Sequence, residues 1–291
     1  MRTMGMRTKG LGRWGVGTGM RTLATASLAI ARTMICLCLA FASAASAASG
    51  QASADRTTRA PAEAPLRAEA GRLIVTADGP AGAELDFILS TGNATTVLTE
   101  SAAARLAGSA DVRLGSFVVD MSDPHVVPDA ELTLDGHTMT GMIGANTLSR
   151  YDLLIDAPGG RLLLAEIGPR VEWPGVALSG PVRMRVYHGV VLGIDVTVNG
   201  VEYMAALDLG MPSLMVNDAL RTAAGLERED SVTLGLGEAT FPDQATSLSD
   251  HPMFERWDPT GNGFLYVGAS IATDCAIALS WVRGELRTCV R

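Results

Sequence analysis

The chain has 291 residues, of which 47% are hydrophobic and 19% charged, and its formal net charge is −8. That is enough apolar material for one large or two small cores. Residues 48–291 hold all 31 acidic residues against 17 arginines and no lysine, a net −14. Such a body lacks the positive footprint that phosphate binding needs, which excludes nucleic acid and an anionic membrane surface as main partners.

The chain opens on spaced basic residues (Arg2, Arg7, Lys9, Arg13, Arg21, Arg32), then the apolar run TMICLCLAFA, then the small-residue run ASAASAASG. That order predicts a secretory signal over residues 1–47, cleaved after Ala47, and a secreted or periplasmic mature protein. Arg32 leaves fewer than the roughly 20 apolar residues that span a bilayer, so no integral membrane anchor is expected. Residues 48–69 are Ala, Ser, Pro and charge with no apolar period, and read as a flexible leader.

Beyond it the chain repeats once. LSTGNATTVLTESAAARLAG from Leu89 lies over LDLGMPSLMVNDALRTAAGL from Leu207 at an offset of 118. IGANTLSRYDLLIDAPGGRLLL from Ile143 lies over VGASIATDCAIALSWVRGELRT from Val267 at an offset of 124, with Gly144/Gly268 and Gly160/Gly284 in register. In each copy an alternating run (GAELDFIL; VEYMAAL) predicts a strand leading into a Gly turn. TTVL and SLMV then resume as strands. A short helix follows, with Thr99 or Asn217 as N-cap and Gly108 or Gly225 near its end. An apolar pair with Gly, a helical turn and a hairpin close each copy. The predicted organisation is a first lobe over 70–165, a linker over 166–180 rich in Pro, and a second lobe over 181–291. Segments 115–141 and 231–266 should include flap-like hairpins.

Past the signal only Cys275 and Cys289 remain. An even count in an exported chain favours a disulfide, and CAIALS and ELRTCV flank a turn that would set the two nearly opposite. Two separate buried thiols are the alternative. His125, His137, His188 and His251 have no metal-ligand spacing, so no metal is expected.

A strand, an Asp-Thr-Gly-type turn, a second strand, a short helix and a later apolar-apolar-Gly motif resemble the retropepsin-like aspartic peptidases. The resemblance covers roughly residues 70–291. It implies an all-β chain of two β-barrel lobes of the acid-protease fold, each with a short helix, joined as an intramolecular pseudo-dimer in a monomer. It also implies that each lobe gives one Asp to a shared site, with no cofactor. Two carboxyls a few ångströms apart share one proton, so the pair acts as base towards water and as acid towards the peptide carbonyl.

Carried over residue by residue, the two turns are Ser90-Thr91-Gly92 and Asp208-Leu209-Gly210. Here the sequence departs from the family. The first Asp is Ser90, and the threonine of the second turn is Leu209. An alcohol holds no charge near neutral pH, so Asp208 is a base without its acid. Losing one positioned proton-transfer group costs about 10²–10⁴-fold in rate.

Asp86 lies on the strand before Ser90, about 13 Å from the turn at 3.3 Å per residue, too far to replace the missing carboxyl. The expectation is therefore a pseudoprotease that holds an extended peptide or protein in the inter-lobe cleft by strand addition. An active aspartic endopeptidase using Asp208 and an unrecognised second acid is the alternative. A purely structural module without a groove is the third possibility.

Overall fold

The computed structural model describes residues 60–106, 112–187, 191–227, 230–249, 254, 261 and 263–290. The expected signal, the leader up to residue 59, Gly108, His188 and His251 lie outside them. Among the described residues strands account for 50% and helices for 14%, which places the protein in the mostly-β class. Among the described residues no helix is long and apolar enough to cross a membrane.

The first strand corrects the leader assignment. Strand β1 runs Ala62–Glu69, where composition suggested a flexible tail. Its inward positions Ala62, Ala64 and Leu66 are buried in alternation with exposed ones. Two of the three are alanines, so the period of two carried little apolar signal. β1 turns through Ala70-Gly71 into β2 (Arg72–Asp78), which pairs with β3 (Glu84–Leu89).

The rest of the first half comprises β4 (Val97–Thr99), α1 (Glu100–Leu106), β5 (Arg113–Leu114), β6 (Phe117–Val118), β7 (His125–Val127), β8 (Thr133–Leu134), β9 (His137–Thr138), β10 (Gly141–Ile143), α2 (Ala145–Leu148), β11 (Tyr151–Asp156) and β12 (Arg161–Glu166). The second half comprises β13 (Val182–Tyr187), β14 (Val191–Val198), β15 (Val201–Leu207), β16 (Leu214–Val216), α3 (Asp218–Ala223), β17 (Ser231–Leu236), β18 (Ala239–Leu248), β19 (Phe264–Val267), α4 (Ser270–Thr273), β20 (Ile277–Ser280) and β21 (Glu285–Thr288).

The pairings repeat with the sequence. β3 lies parallel to β10, which is antiparallel to β4, and β4 is parallel to β7. In the second half the same chain of pairings runs β15, β19, β16, β18. There β18 pairs with β17, β17 with β14 and β14 with β15, closing a six-stranded barrel. In the first half β6 pairs with β5, β5 with β2, and β7 with β4, so that ring is not closed by the same hairpin.

A six-stranded antiparallel sheet joins the halves in the order β1, β12, β11, β20, β21, β13. Its two central strands are equivalent members of the repeat. Both outer strands bend out of it and continue into their own half: β1 passes from β12 to β2 at Leu66, and β13 from β21 to β14 at Met184. The same hydrogen bond marks each bend, Leu66 N–H to Gly160 O at 3.0 Å and Met184 N–H to Gly284 O at 2.7 Å. Trp173, from the stretch between β12 and β13, is buried against Leu154, Leu163, Ala276 and Ala278 on one face of this sheet. Burying that face removes apolar area worth about 25 cal/mol per Å².

Two helix starts behave differently. Asn217 caps α3 as expected, its side chain accepting from Leu220 N–H at 2.9 Å. Thr99 does not cap α1. It is buried in β4, and its hydroxyl turns to the carbonyls of Met139 and Thr140, while Asp129 accepts the Ser101 N–H from outside the helix. A buried hydroxyl must find an acceptor, and here the acceptors lie on the segment leading into β10.

Cys275 and Cys289 form a disulfide with Cα atoms 5.4 Å apart at the open end of the β20–β21 hairpin. The hairpin places them as its geometry predicts.

Candidate active site

Ser90 and Asp208 leave the ends of β3 and β15, the equivalent strands of the two halves. Each is anchored by the same bond to the strand beside it: Ser90 N–H to Ile143 O at 3.1 Å, Asp208 N–H to Val267 O at 2.9 Å. The glycines that follow those carbonyls explain how the turns fit so closely. A methyl on Gly144 or Gly268 would overlap the carbonyl oxygen of Thr95 or Ser213. Both glycines are backbone requirements of the turn.

The two turns meet. Ser90 Oγ donates to Asp208 Oδ1 at 3.0 Å. Asp208 Oδ1 also accepts from the backbone N–H groups of Gly92 at 3.0 Å and Gly210 at 2.9 Å. One bond comes from its own turn, the others from the opposite one. Side chains at these glycines would clash: a methyl on Gly210 would lie 2.7 Å from Ser90 Oγ, and one on Gly92 would overlap Asp208. Close approach is what glycine permits here.

Thr91, fully buried, ties the turns together. Its hydroxyl donates to Leu207 O and accepts from Leu209 N–H, both at 3.0 Å. Leu209 is equally buried but has no hydroxyl, so it packs into the main core instead. At this pair of positions only Thr91 reaches across with its side chain.

Asn93 was not among the residues singled out from sequence. It donates to Ser90 Oγ twice, from its backbone N–H at 3.2 Å and from Nδ2 at 3.0 Å. A hydroxyl has one proton and two lone pairs. The Ser90 proton goes to Asp208 and both lone pairs are taken by Asn93. Ser90 also has no exposed surface. It is a poor nucleophile on every count.

Asp208 is half-buried, and all three of its hydrogen bonds fall on Oδ1. Oδ2 is left for a ligand or water. Among the described residues none of its hydrogen-bond partners is a second carboxyl. Asp86 is engaged elsewhere: Arg67 holds it with two N–H bonds at 3.1 and 2.8 Å, and Thr76 adds a third at 2.8 Å. Burial pushes the Asp86 carboxyl up, but those bonds and the Arg67 charge outweigh it and leave it below its ordinary value.

Arg72 is the second residue that sequence reasoning missed. It is the first residue of β2, and assigning residues up to 69 to a leader hid the hairpin that positions it. The β2–β3 register pairs Ile74 with Ile88, so its continuation sets Arg72 opposite Ser90. Burial lowers the pKa of the guanidinium, and the charge of Asp208 offsets part of that.

The surfaces leading to the two turns are apolar and covered. Ile74, Ile88 and Val97 pack with half-buried Met142 under Leu132, Leu134 and Met139, which flank or belong to the β8–β9 hairpin. This hairpin takes the place expected of a flap in 115–141. On the other side Ala206, Phe264 and Tyr266 pack with Phe254 and half-buried Met204, Met211 and Met215. Phe254 meets Tyr266 edge-to-face at 5.3 Å between ring centres. The β17–β18 hairpin, which fell in the expected second flap, is instead barrel wall.

Comparison with models of known protein families and with curated proteins finds no match to this chain.

Proposed function

We propose that the protein is an exported, retropepsin-like aspartic peptidase homologue whose catalytic pair is impaired, and that it binds an extended polypeptide between its two halves. The observation that carries the reading is the 3.0 Å bond from Ser90 Oγ to Asp208 Oδ1, made by equivalent turns of an internal repeat. In a working site the same two positions would hold carboxyls that share a proton.

With serine at one of them, Asp208 can accept a proton from water through Oδ2, but nothing opposite can donate one to a peptide carbonyl. The two roles that peptide hydrolysis needs are no longer both filled. Binding does not depend on that pair. The apolar surfaces beside the turns, rich in adaptable methionine (Met142, Met204, Met211, Met215), suit the side chains of an extended chain. Main-chain bonds to the strand edges of the first half would add affinity. One chain supplies both halves, so the functional unit of this reading is a monomer.

The test uses the purified full chain with unfolded casein at acidic pH. The reading expects binding without cleavage. Cleavage that Asp208→Ala abolishes would overturn it.

A further inference from the structure

We infer that His137 is a proton-operated latch on the β8–β9 hairpin: its charged imidazole fastens the hairpin tip to Asp86 and holds this cover down over the apolar face beside Ser90. Nothing in the latch depends on a bound peptide. β8 and β9 form a two-stranded sheet of their own, apart from the main one. Asp135 and Gly136, both with positive φ, make its two-residue turn. The Thr133 and Thr138 hydroxyls bond each other across it at 2.9 Å.

Two kinds of contact hold the hairpin to the body. Leu132, Leu134 and Met139 pack on Ile74, Ile88, Val97 and half-buried Met142. Asp86 supplies a polar contact at each end. At the foot its carbonyl accepts the Thr140 N–H at 2.8 Å. Just past the turn its Oδ2 lies 3.6 Å from His137 Nε2, too long for a hydrogen bond but an ion pair once the imidazole is charged. The covered face leads to the paired turns. Met142 Sδ accepts from Asn93 Nδ2 at 3.7 Å, and the same amide donates to Ser90 Oγ at 3.0 Å.

The charges around the imidazole favour its cationic form. Arg67 pairs with Asp86 at 2.8 Å and with Glu69 at 2.9 Å, so two carboxylates share one guanidinium. One negative charge is left over, and a charged His137 cancels it. Arg67 opposes that cation because both approach Asp86 Oδ2, but Glu69 draws on the same guanidinium. The charged residues next along these elements are acids: Glu84 on β3, Asp129 and Glu131 before β8, and Asp135 in the turn. Seen from Asp86, burial raises its carboxyl, and the bonds from Arg67 and Thr76, the Arg67 charge and lastly the His137 charge together outweigh it.

Histidine ordinarily takes its proton near pH 6.5. The Asp86 carboxyl stays ionised to below its ordinary 3.8. The latch is therefore closed between roughly pH 4 and 6. It is released above that window as the imidazole loses its proton, and below it as Asp86 gains one. An exposed pair of this kind shifts an opening equilibrium about 2- to 3-fold.

The experiment reads amide hydrogen exchange in the full chain at the Met139 and Thr140 N–H groups, which are bonded to Leu132 O and Asp86 O. Rates are corrected for the intrinsic effect of pH on exchange. The Asn199 N–H in the second half, bonded to Thr233 O at 2.9 Å, is the control. From about pH 7.5 to about pH 5.5, opening of the hairpin should fall about 2- to 3-fold relative to the control. His137→Gln should stay at the more open level across that range. Raising the salt should weaken the acid-side protection in the unmodified chain, a readout independent of how the variant folds. Opening that does not change with pH, or that changes equally in folded His137→Gln, would overturn the latch. Acid-side protection insensitive to salt would do the same.

Discussion

Leu209 donates its backbone N–H to the Thr91 hydroxyl at 3.0 Å, and its own side chain has no hydroxyl to return the bond. Thr91 thus makes both side-chain bonds at the Thr91–Leu209 positions, because the same hydroxyl also donates to Leu207 O. Replacing it with valine keeps the shape and strands two buried groups, the Leu209 N–H and the Leu207 carbonyl. Thr91→Val should cost about 2–3 kcal/mol in chemical denaturation. Leu209→Val removes no bond and should cost only about 1 kcal/mol for the lost methylene. Equal losses would contradict the one-sided crossing.

Ser90→Asp rebuilds the pair. Its new carboxyl would lie where a hydroxyl now meets Asp208 at 3.0 Å, so the two must share a proton. One of the coupled carboxyls is then raised above its unfolded value. The folded state holds a proton that the unfolded chain has released, so stability falls as pH rises from the unfolded carboxylate range through the raised value. We expect peptide hydrolysis at acidic pH, about 10²–10⁴-fold above the starting protein. The variant should also be less stable than the parent at neutral pH. Activity assays and pH-dependent melting check the two halves of the statement separately.

The repeat is what made the site legible. Offsets of 118 and 124 align Ser90 with Asp208 and Ile143 with Val267, and each aligned pair makes the same backbone bond. Local pattern also sufficed for β15, α3 with its Asn217 cap, and the cysteine hairpin. It failed where side chains were small or the partner was remote. β1 buries two alanines, which carry little hydrophobic signal, so the hairpin that presents Arg72 went unseen. Thr99 has the residue type and position of a cap, but tertiary acceptors claimed its hydroxyl. Asn93 could have been suspected from its place three residues after Ser90 in a Gly turn, where an amide reaches back to the turn's own side chain.

The Cys275–Cys289 bond closes a 14-residue separation at the open end of the β20–β21 hairpin. Because β20 pairs with β11 at the centre of the sheet joining the halves, this hairpin supports both of them. Constraining a loop of that length stabilises by about 3 kcal/mol in the chain-entropy account. Cys289→Ser, or reduction of the parent, should lower the denaturation midpoint accordingly. A midpoint unmoved by reduction would show that the pairing of β20 and β21 stands without the bond.

Asp86 gives the protein an acid-sensitive joint away from the site. Thr76 on the adjacent β2 and Arg67 on β1, one strand further, both bond it, so its charge fastens the first hairpin to β3. Burial works against the charged form, but these bonds prevail and its folded pKa lies below the ordinary 3.8. For a depressed carboxyl, the stabilisation is present above the unfolded pKa and is lost as pH falls through the folded one. Asp86→Asn should therefore cost about 1–2 kcal/mol at neutral pH, moderated by the partial exposure of Arg67. The difference from the parent should vanish at pH values below both pKa values. Melting curves of the two proteins that stay parallel through the acid range would show that Asp86 is not the titrating link. Such curves would also separate this joint from the Ser90→Asp pair, whose stability moves with pH in the opposite direction.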